Sequence, residues 1–236
     1  MSECGQADLL VVGGTIVSGR PSDAPVEDGA LAIVAGRIVA IGSRASVEPR
    51  YSAARRIDAT GSMVFPGLVD THTHLYQTLL KGLGDDLPLM AWLDACTLPT
   101  IPHLTPRICY VAAALGCIES LRSGCTTIFD YMVDHPDTEV YDATIEAFDA
   151  VGIQGVLGRG LRNRLAETVP ANLPTIDQQL ADCVRLVERY GRERIWLAPG
   201  ATWTVELEAL QATRRLADAF GMRISLHTEE VPFDSQ

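Results

Sequence analysis

The sequence predicts an α/β fold, a (β/α)8 TIM-type barrel with about five βα units present, preceded by the N-terminal part of a small β-sandwich domain. Three observations carry this. From Val64 onward, short apolar runs alternate with helical stretches, which is the pattern of a parallel sheet. Glycines 124, 152, 191 and 221 each close a helical stretch just ahead of the next strand. Histidines and other polar side chains fall at the carboxyl ends of the runs, where barrels of this kind place their active sites. A doubly wound sheet would alternate in a similar way. Histidines on the first and fifth runs favour a barrel, whose closure brings distant strand ends around one centre.

Residues 1–62 form the first region and 63–236 the second. In the first, Asp8–Val12 and Thr15–Val17 flank Gly13-Gly14 and read as a hairpin. Ala30–Val34 and Arg37–Ile41 flank Ala35-Gly36 as another, and Ala53–Asp58 adds a strand. No long helix fits there. In the second, the first strand spans Gly67–Thr73, and Asp85–Leu93 is a helical piece within the long excursion that follows. Thr105-Pro106 opens a helix that runs to Ser123. Cys125–Asp130, Ile153–Gly158, Arg194–Pro199 and Met222–His227 are the next four strands. Between them lie helices over Asp137–Val151, Ile176–Tyr190 and Val205–Phe220.

Composition bounds the function. The chain has 236 residues, 47% hydrophobic and 21% charged, as expected of a globular protein with a sizeable core. Its formal net charge is -11, with no basic block, which argues against nucleic acid and anionic membranes as partners. The six cysteines form no CxxC pair and read as thiols of a reducing compartment. The polar start Met1-Ser2-Glu3-Cys4 is not a signal peptide, and no apolar run reaches the roughly 20 residues of a membrane span. The expected location is cytoplasmic.

Only five histidines are present, and two of them form His72-Thr73-His74 at the end of an apolar run. Side chains two apart on a strand point the same way, so both imidazoles can bind one metal ion. His227 ends another apolar run and is followed by Glu229 and Glu230. Histidines on two strand ends, with carboxylates nearby, suggest a catalytic metal site that keeps a position open for water. His103 reads as a surface or capping residue and His135 as a solvated loop residue. Arg159, after the third strand, is a candidate to bind a substrate carbonyl or anion; pairing with a nearby acid is the alternative.

The run from Pro66 to His74 resembles the first-strand signature of the amidohydrolase superfamily. Leu75–Leu93, with its Asp-Asp-Leu-Pro-Leu-Met-x-Trp-Leu stretch, together with Ser123–Thr127 and Ser225–Glu230, resembles one branch. That branch holds methylthioadenosine/S-adenosylhomocysteine deaminases, guanine and 8-oxoguanine deaminases, and triazine hydrolases. The resemblance implies one divalent metal ion, zinc first and iron second, held by His72, His74 and His227. It implies Glu230 as the general acid/base, with Glu229 the rival, and Gln77 and Trp92 in the substrate pocket. The implied reaction is attack by metal-activated hydroxide on a ring carbon of a purine, pteridine or triazine, with loss of ammonia or an amine. A triazine-type chlorohydrolase is the alternative on the same scaffold. The implied partner is a small heterocycle, and the intact enzyme is expected to be a homo-oligomer.

Three features qualify the resemblance. The only lysine, Lys81, lies near the first strand, so the lysine-bridged metal pair of some amidohydrolases is excluded and a mononuclear site is expected. The nucleoside deaminases usually carry His-Ala-Pro-Tyr-Thr at the end of the fourth strand, where this chain has Leu197-Ala198-Pro199-Gly200-Ala201-Thr202-Trp203. That points toward triazine-type or small-ring hydrolases. A complete barrel takes about 250 residues, so the family's sixth-strand histidine and eighth-strand aspartate are expected beyond this chain. It therefore reads as the N-terminal half of a longer enzyme, and a non-catalytic half-barrel is the competing possibility.

Overall fold

The computed structural model describes residues 4–164 and 172–230. It divides into two compact units, Met1–Gly67 and Leu68–Gln236. The division falls a few residues later than position 62, because Met63-Val64 pairs with the first strand of the N-terminal unit.

The N-terminal unit is a sheet of β1 (Gly5–Ile16), β2 (Val26–Val34), β3 (Arg37–Ser43), β4 (Tyr51–Asp58) and β5 (Met63–Val64). Its order is β3-β2-β1-β4, with β5 also on β1. The turn at Ala35-Gly36 forms as expected, with φ +48° and +72°. That is the left-handed pair of a tight hairpin. The hairpin expected at Gly13-Gly14 does not form. β1 continues through it with a register shift, and Gly13 sits at φ +83°. A Cβ on Gly13 would lie 2.6 Å from Thr60 Oγ1, and one on Gly14 would lie 2.9 Å from Ala59 Cβ. The glycines mark a bulge where another segment comes close, and not a reversal. Leu10, Val12, Ala30 and Ala32 pack on one face; Val11, Ile16 and Leu31 pack on the other.

In the second unit, β6 (Leu68–Thr73), β7 (Cys125–Met132), β8 (Gln154–Leu161) and β9 (Ile195–Pro199) form a parallel sheet in sequence order. The helices α1 (Pro106–Arg122), α2 (Glu139–Val151), α3 (Ile176–Tyr190) and α4 (Leu207–Phe220) alternate with the strands. Thr105 caps α1, accepting from Ile108 N, and Thr175 with Gln178 forms a capping box on α3. Ile128 and Met132 of β7, Leu157 and Leu161 of β8, and Ile195 and Leu197 of β9 share a core with Tyr141, Ile145, Phe148, Cys183 and Leu186. The helical piece expected at Asp85–Leu93 begins later, at Leu89, and passes into a π turn at Leu93–Thr97. No described helix is long and apolar enough to cross a membrane.

The fifth strand forms only in part. Two isolated parallel bridges, Leu197 with Ile224 and Ala201 with His227, tie Met222–His227 to β9. Leu197 donates to Arg223 O and accepts from Ser225 N, both at 2.9 Å, and His227 N donates to Gly200 O at 3.2 Å. Pro199 lies between these bonds without an N–H, so the ladder breaks there.

Arg159 corrects the sequence reading. Its side chain is 0% exposed and points into the layer between β8 and α3. It pairs with Asp182 at 3.2 Å and lies over the Tyr141 ring at 4.6 Å. Removing one partner of a buried pair strands the other charge. Asp182→Ala should therefore lower unfolding free energy in urea by about 3–5 kcal/mol. Asp149→Ala breaks the more exposed Arg194–Asp149 pair and should cost at most about 1 kcal/mol. Equal small losses for both would show that the Arg159 pair does not hold this layer together.

Candidate metal centre

Parallel pairing puts the carboxyl ends of β6 to β9 on one edge, and the three histidines meet there. His72 and His74 come from the end of β6, and His227 from the segment beside β9. One ring nitrogen from each lies within 4.8 Å of the others. Among the described residues, this is the one such group that could hold a metal ion. The rings of His74 and His227 stack at 5.1 Å, and His72 meets both edge-on.

The surroundings prepare these nitrogens as ligands. Asp70 accepts from His72 N at 3.0 Å, which sets the turn through the motif. His74 Nδ1 lies 2.9 Å from Tyr131 O. That carbonyl can only accept, so Nδ1 carries the proton and Nε2 the lone pair. His74 Nε2 then faces His227 Nε2 at 3.3 Å. Two zinc–nitrogen bonds of about 2.0–2.1 Å at a tetrahedral angle separate their nitrogens by roughly 3.3 Å. Burial lowers the pKa of His74. Burial, with His74 and His72 nearby, pushes His227 down to about 4. The two rings are therefore neutral near pH 7, the state a metal requires. The His74–His227 separation, the His74 tautomer and the neutral state of both rings fit a zinc-sized cation.

A cavity of about 300 Å³ opens at this centre. His72, His74, His227, Gln77, Trp92 and Glu230 all line it, so six of the seven residues expected at the site share one wall. The backbone turns at Glu229, with φ +54°, and Glu230, not Glu229, reaches the cavity. Gln77 Nε2 donates to Tyr76 Oη at 2.9 Å. Arg159 is absent from the lining, and Arg162 and Asp134 are there instead. Sequence reading ended the third strand at Gly158 and the second at Asp130. The strands run on to Leu161 and Met132, which moves the edge to Arg162 and Asp134. Tyr131 was also missed; its ring packs 4.6 Å from that of His227. Lys81 pairs with Glu119 on the surface. His103 is exposed, as expected. His135 is 4% exposed, contrary to expectation, because its Nδ1 is engaged by the Asp137 backbone.

Behind the motif, Asp130 faces the helical layer and accepts from Leu75 N at 2.7 Å. It ties the residue after His74 to β7. Burial lifts this carboxyl to about 7, against the lowering effect of the Leu75 N–H.

Two predictions follow from this geometry. His72→Ala should weaken zinc binding, measured against a competing chelator, by more than the roughly 10–100-fold typical of losing an outer-shell partner. Zinc affinity equal to the parent would remove His72 from the site. The second concerns pH. Asp130 has an unfolded value of 3.8 and a folded value of about 7. Over that interval the unfolded chain releases a proton the folded chain keeps, so this group's contribution falls as pH rises. Asp130→Asn retains an acceptor for Leu75 N and should flatten that slope in urea titrations between about pH 4 and 7. Parallel stability curves for variant and parent would contradict the assignment.

Known proteins resemble this chain in sequence and fold. The model of the amidohydrolase family matches residues 63–233. A 5-methylthioadenosine/S-adenosylhomocysteine deaminase of Nitratidesulfovibrio vulgaris is 36% identical over 226 residues, covering 94% of this chain and 49% of that protein. A 5'-deoxyadenosine deaminase of Methanothermobacter thermautotrophicus is 35% identical over 178 residues, 74% of this chain and 39% of its own length. Among solved structures, an adenosine deaminase from Xanthomonas campestris with bound zinc superposes with a TM-score of 0.87 at 28% identity, over 98% of this chain and 51% of that one. An atrazine chlorohydrolase from Arthrobacter aurescens, at 23% identity and TM-score 0.84, covers 95% of this chain and 53% of its own, and shares the fold. The chain thus spans about half the length of the relatives it matches. With the family model covering most of its length, the chain belongs to the amidohydrolase family.

Proposed function

We propose that this chain serves a metal-dependent hydrolase that removes an amino substituent from a nitrogen heterocycle of the purine, pteridine or triazine type. The observation that carries the reading is the His72, His74 and His227 cluster opening on the same cavity as Glu230. The deaminase names of the relatives support the reaction class. Zinc in the similar adenosine deaminase structure supports the metal.

The three imidazoles would hold the ion, and Tyr131 O keeps His74 in the tautomer that binds it. When bound, zinc supplies Lewis acidity and an activated water near neutral pH. Glu230 takes a proton from the nucleophile, delivers it to the ring nitrogen beside the reacting carbon, and then assists the departing amine. Trp92 and Tyr131 offer aromatic faces on which a planar ring can stack.

The leaving group admits a second reading. The stretch Leu197–Trp203 departs from the His-Ala-Pro-Tyr-Thr of the nucleoside deaminases, and a Cβ on Gly200 would lie 2.2 Å from Thr204 Oγ1. Thr204 fills the space beside Gly200, which favours a small ring and keeps chloride release from a chlorotriazine as the alternative.

The zinc-loaded chain, given adenosine, a pterin, melamine and a chlorotriazine, should release ammonia or chloride from at least one. Glu230→Gln should reduce that release by about 10²–10⁴-fold with zinc content unchanged. Equal release by variant and parent would remove Glu230 from the chemistry. No release from any substrate at full zinc occupancy would contradict activity in this chain.

A further inference from the structure

The cavity wall carries a second polar group apart from the metal centre and Glu230. Arg162, just past β8, donates through Nε to Asp134 Oδ1, just past β7, at 2.9 Å. The two side chains are only 7% and 4% exposed, and both line the cavity. Gln179 clamps the Arg162 backbone from both sides, accepting from its N at 3.1 Å and donating to its O at 2.9 Å. The pair is a fixed part of the wall.

Its bonding is incomplete in a specific way. Asp134 Oδ2 is buried with no hydrogen-bond partner. Arg162 is engaged through Nε, and no hydrogen bond joins its terminal nitrogens to any described residue. Burying an ion pair is costly unless the remaining lone pairs and N–H groups are satisfied. A pair that served packing alone would use both carboxylate oxygens, as Asp182 does with Arg159 and Arg185. The pair adjoins the metal centre, since Asp134 and Arg162 both act on Tyr131, whose ring packs against His74 and His227.

We propose that Arg162 and Asp134 orient the substrate by reading a neutral ring edge that sets one acceptor beside one donor. An amidine or lactam edge has this form: its ring nitrogen or carbonyl accepts from the guanidinium, and its N–H donates to Asp134 Oδ2. The net charge of the pair is zero, so an anionic substituent meets the Asp134 carboxylate and is disfavoured. This assignment rests on the heterocycle reading and adds to it a choice among heterocycles.

Binding to the zinc-loaded chain, measured calorimetrically, tests it with melamine, hexamethylmelamine and a diaminotriazine carboxylate. Hexamethylmelamine keeps the triazine ring but has no N–H, so it offers no donor beside its ring nitrogens. The parent should bind melamine at least about tenfold more tightly than hexamethylmelamine. Asp134→Asn should bring that ratio close to one. It should also bind the carboxylate about tenfold more tightly than the parent does, because the pair then carries a net positive charge. Arg162→Gln should lose the melamine preference without gaining affinity for the carboxylate. Zinc affinity should stay constant in all three proteins, and a structural role would not reverse preference between neutral and anionic ligands. A parental ratio near one, or unchanged selectivity in both variants, overturns the assignment alone. If Asp134→Asn does not fold, the parental ratio and Arg162→Gln still decide. Failure of the zinc-loaded parent to bind any of the compounds overturns the heterocycle reading and this assignment with it.

Discussion

Three imidazoles must meet at the edge of a parallel sheet, and most of the site's structure serves that requirement. Two come from one strand end and the third from a segment far away in sequence. Only a parallel arrangement brings those ends to the same edge. The Tyr131 carbonyl is the hinge of the arrangement. It fixes the His74 tautomer, and the ring of the same residue packs on His227. Asp130, its neighbour, points to the opposite face and anchors the backbone just after His74. Strand alternation thus lets consecutive residues of β7 hold the motif from inside and outside.

Two arginines near the end of β8 show the same division. Arg159 faces the helices and joins Gln179 and Asp182 of α3 in a buried network. Arg162, just beyond the strand, faces the cavity and pairs with Asp134. Gln179 touches both, reaching the Arg159 guanidinium and the Arg162 backbone. The sheet's outer layer and the cavity wall are therefore linked through one buried amide, so the position of α3 bears on the shape of the site.

Much of this was legible in the sequence, because the signals were local. The His-x-His spacing, the alternation of runs and helices, and helix α3 over Ile176–Tyr190 depend on periodicity and capping that a sequence states directly. What failed depended on where strands end. Taking β8 to stop at Gly158 selected Arg159, whereas three more residues of strand bring Arg162 to the edge. The Gly13-Gly14 pair read as a turn because glycine permits both a reversal and a close approach. Which one occurs is decided by Ala59 and Thr60, far along the chain. The fifth strand fell short because Pro199 removes a donor from its partner, a defect visible only once the pairing is known.

The central claim is that His72, His74 and His227 bind one zinc-sized ion. X-ray absorption at the zinc edge of the reconstituted chain tests it most directly. The account predicts one zinc per chain with three imidazole nitrogens at about 2.0–2.1 Å and lighter oxygen donors completing the shell. It also predicts loss of one imidazole from that shell on replacing any of the three histidines. A shell containing sulfur at about 2.3 Å, or a chain that retains no zinc, would contradict it.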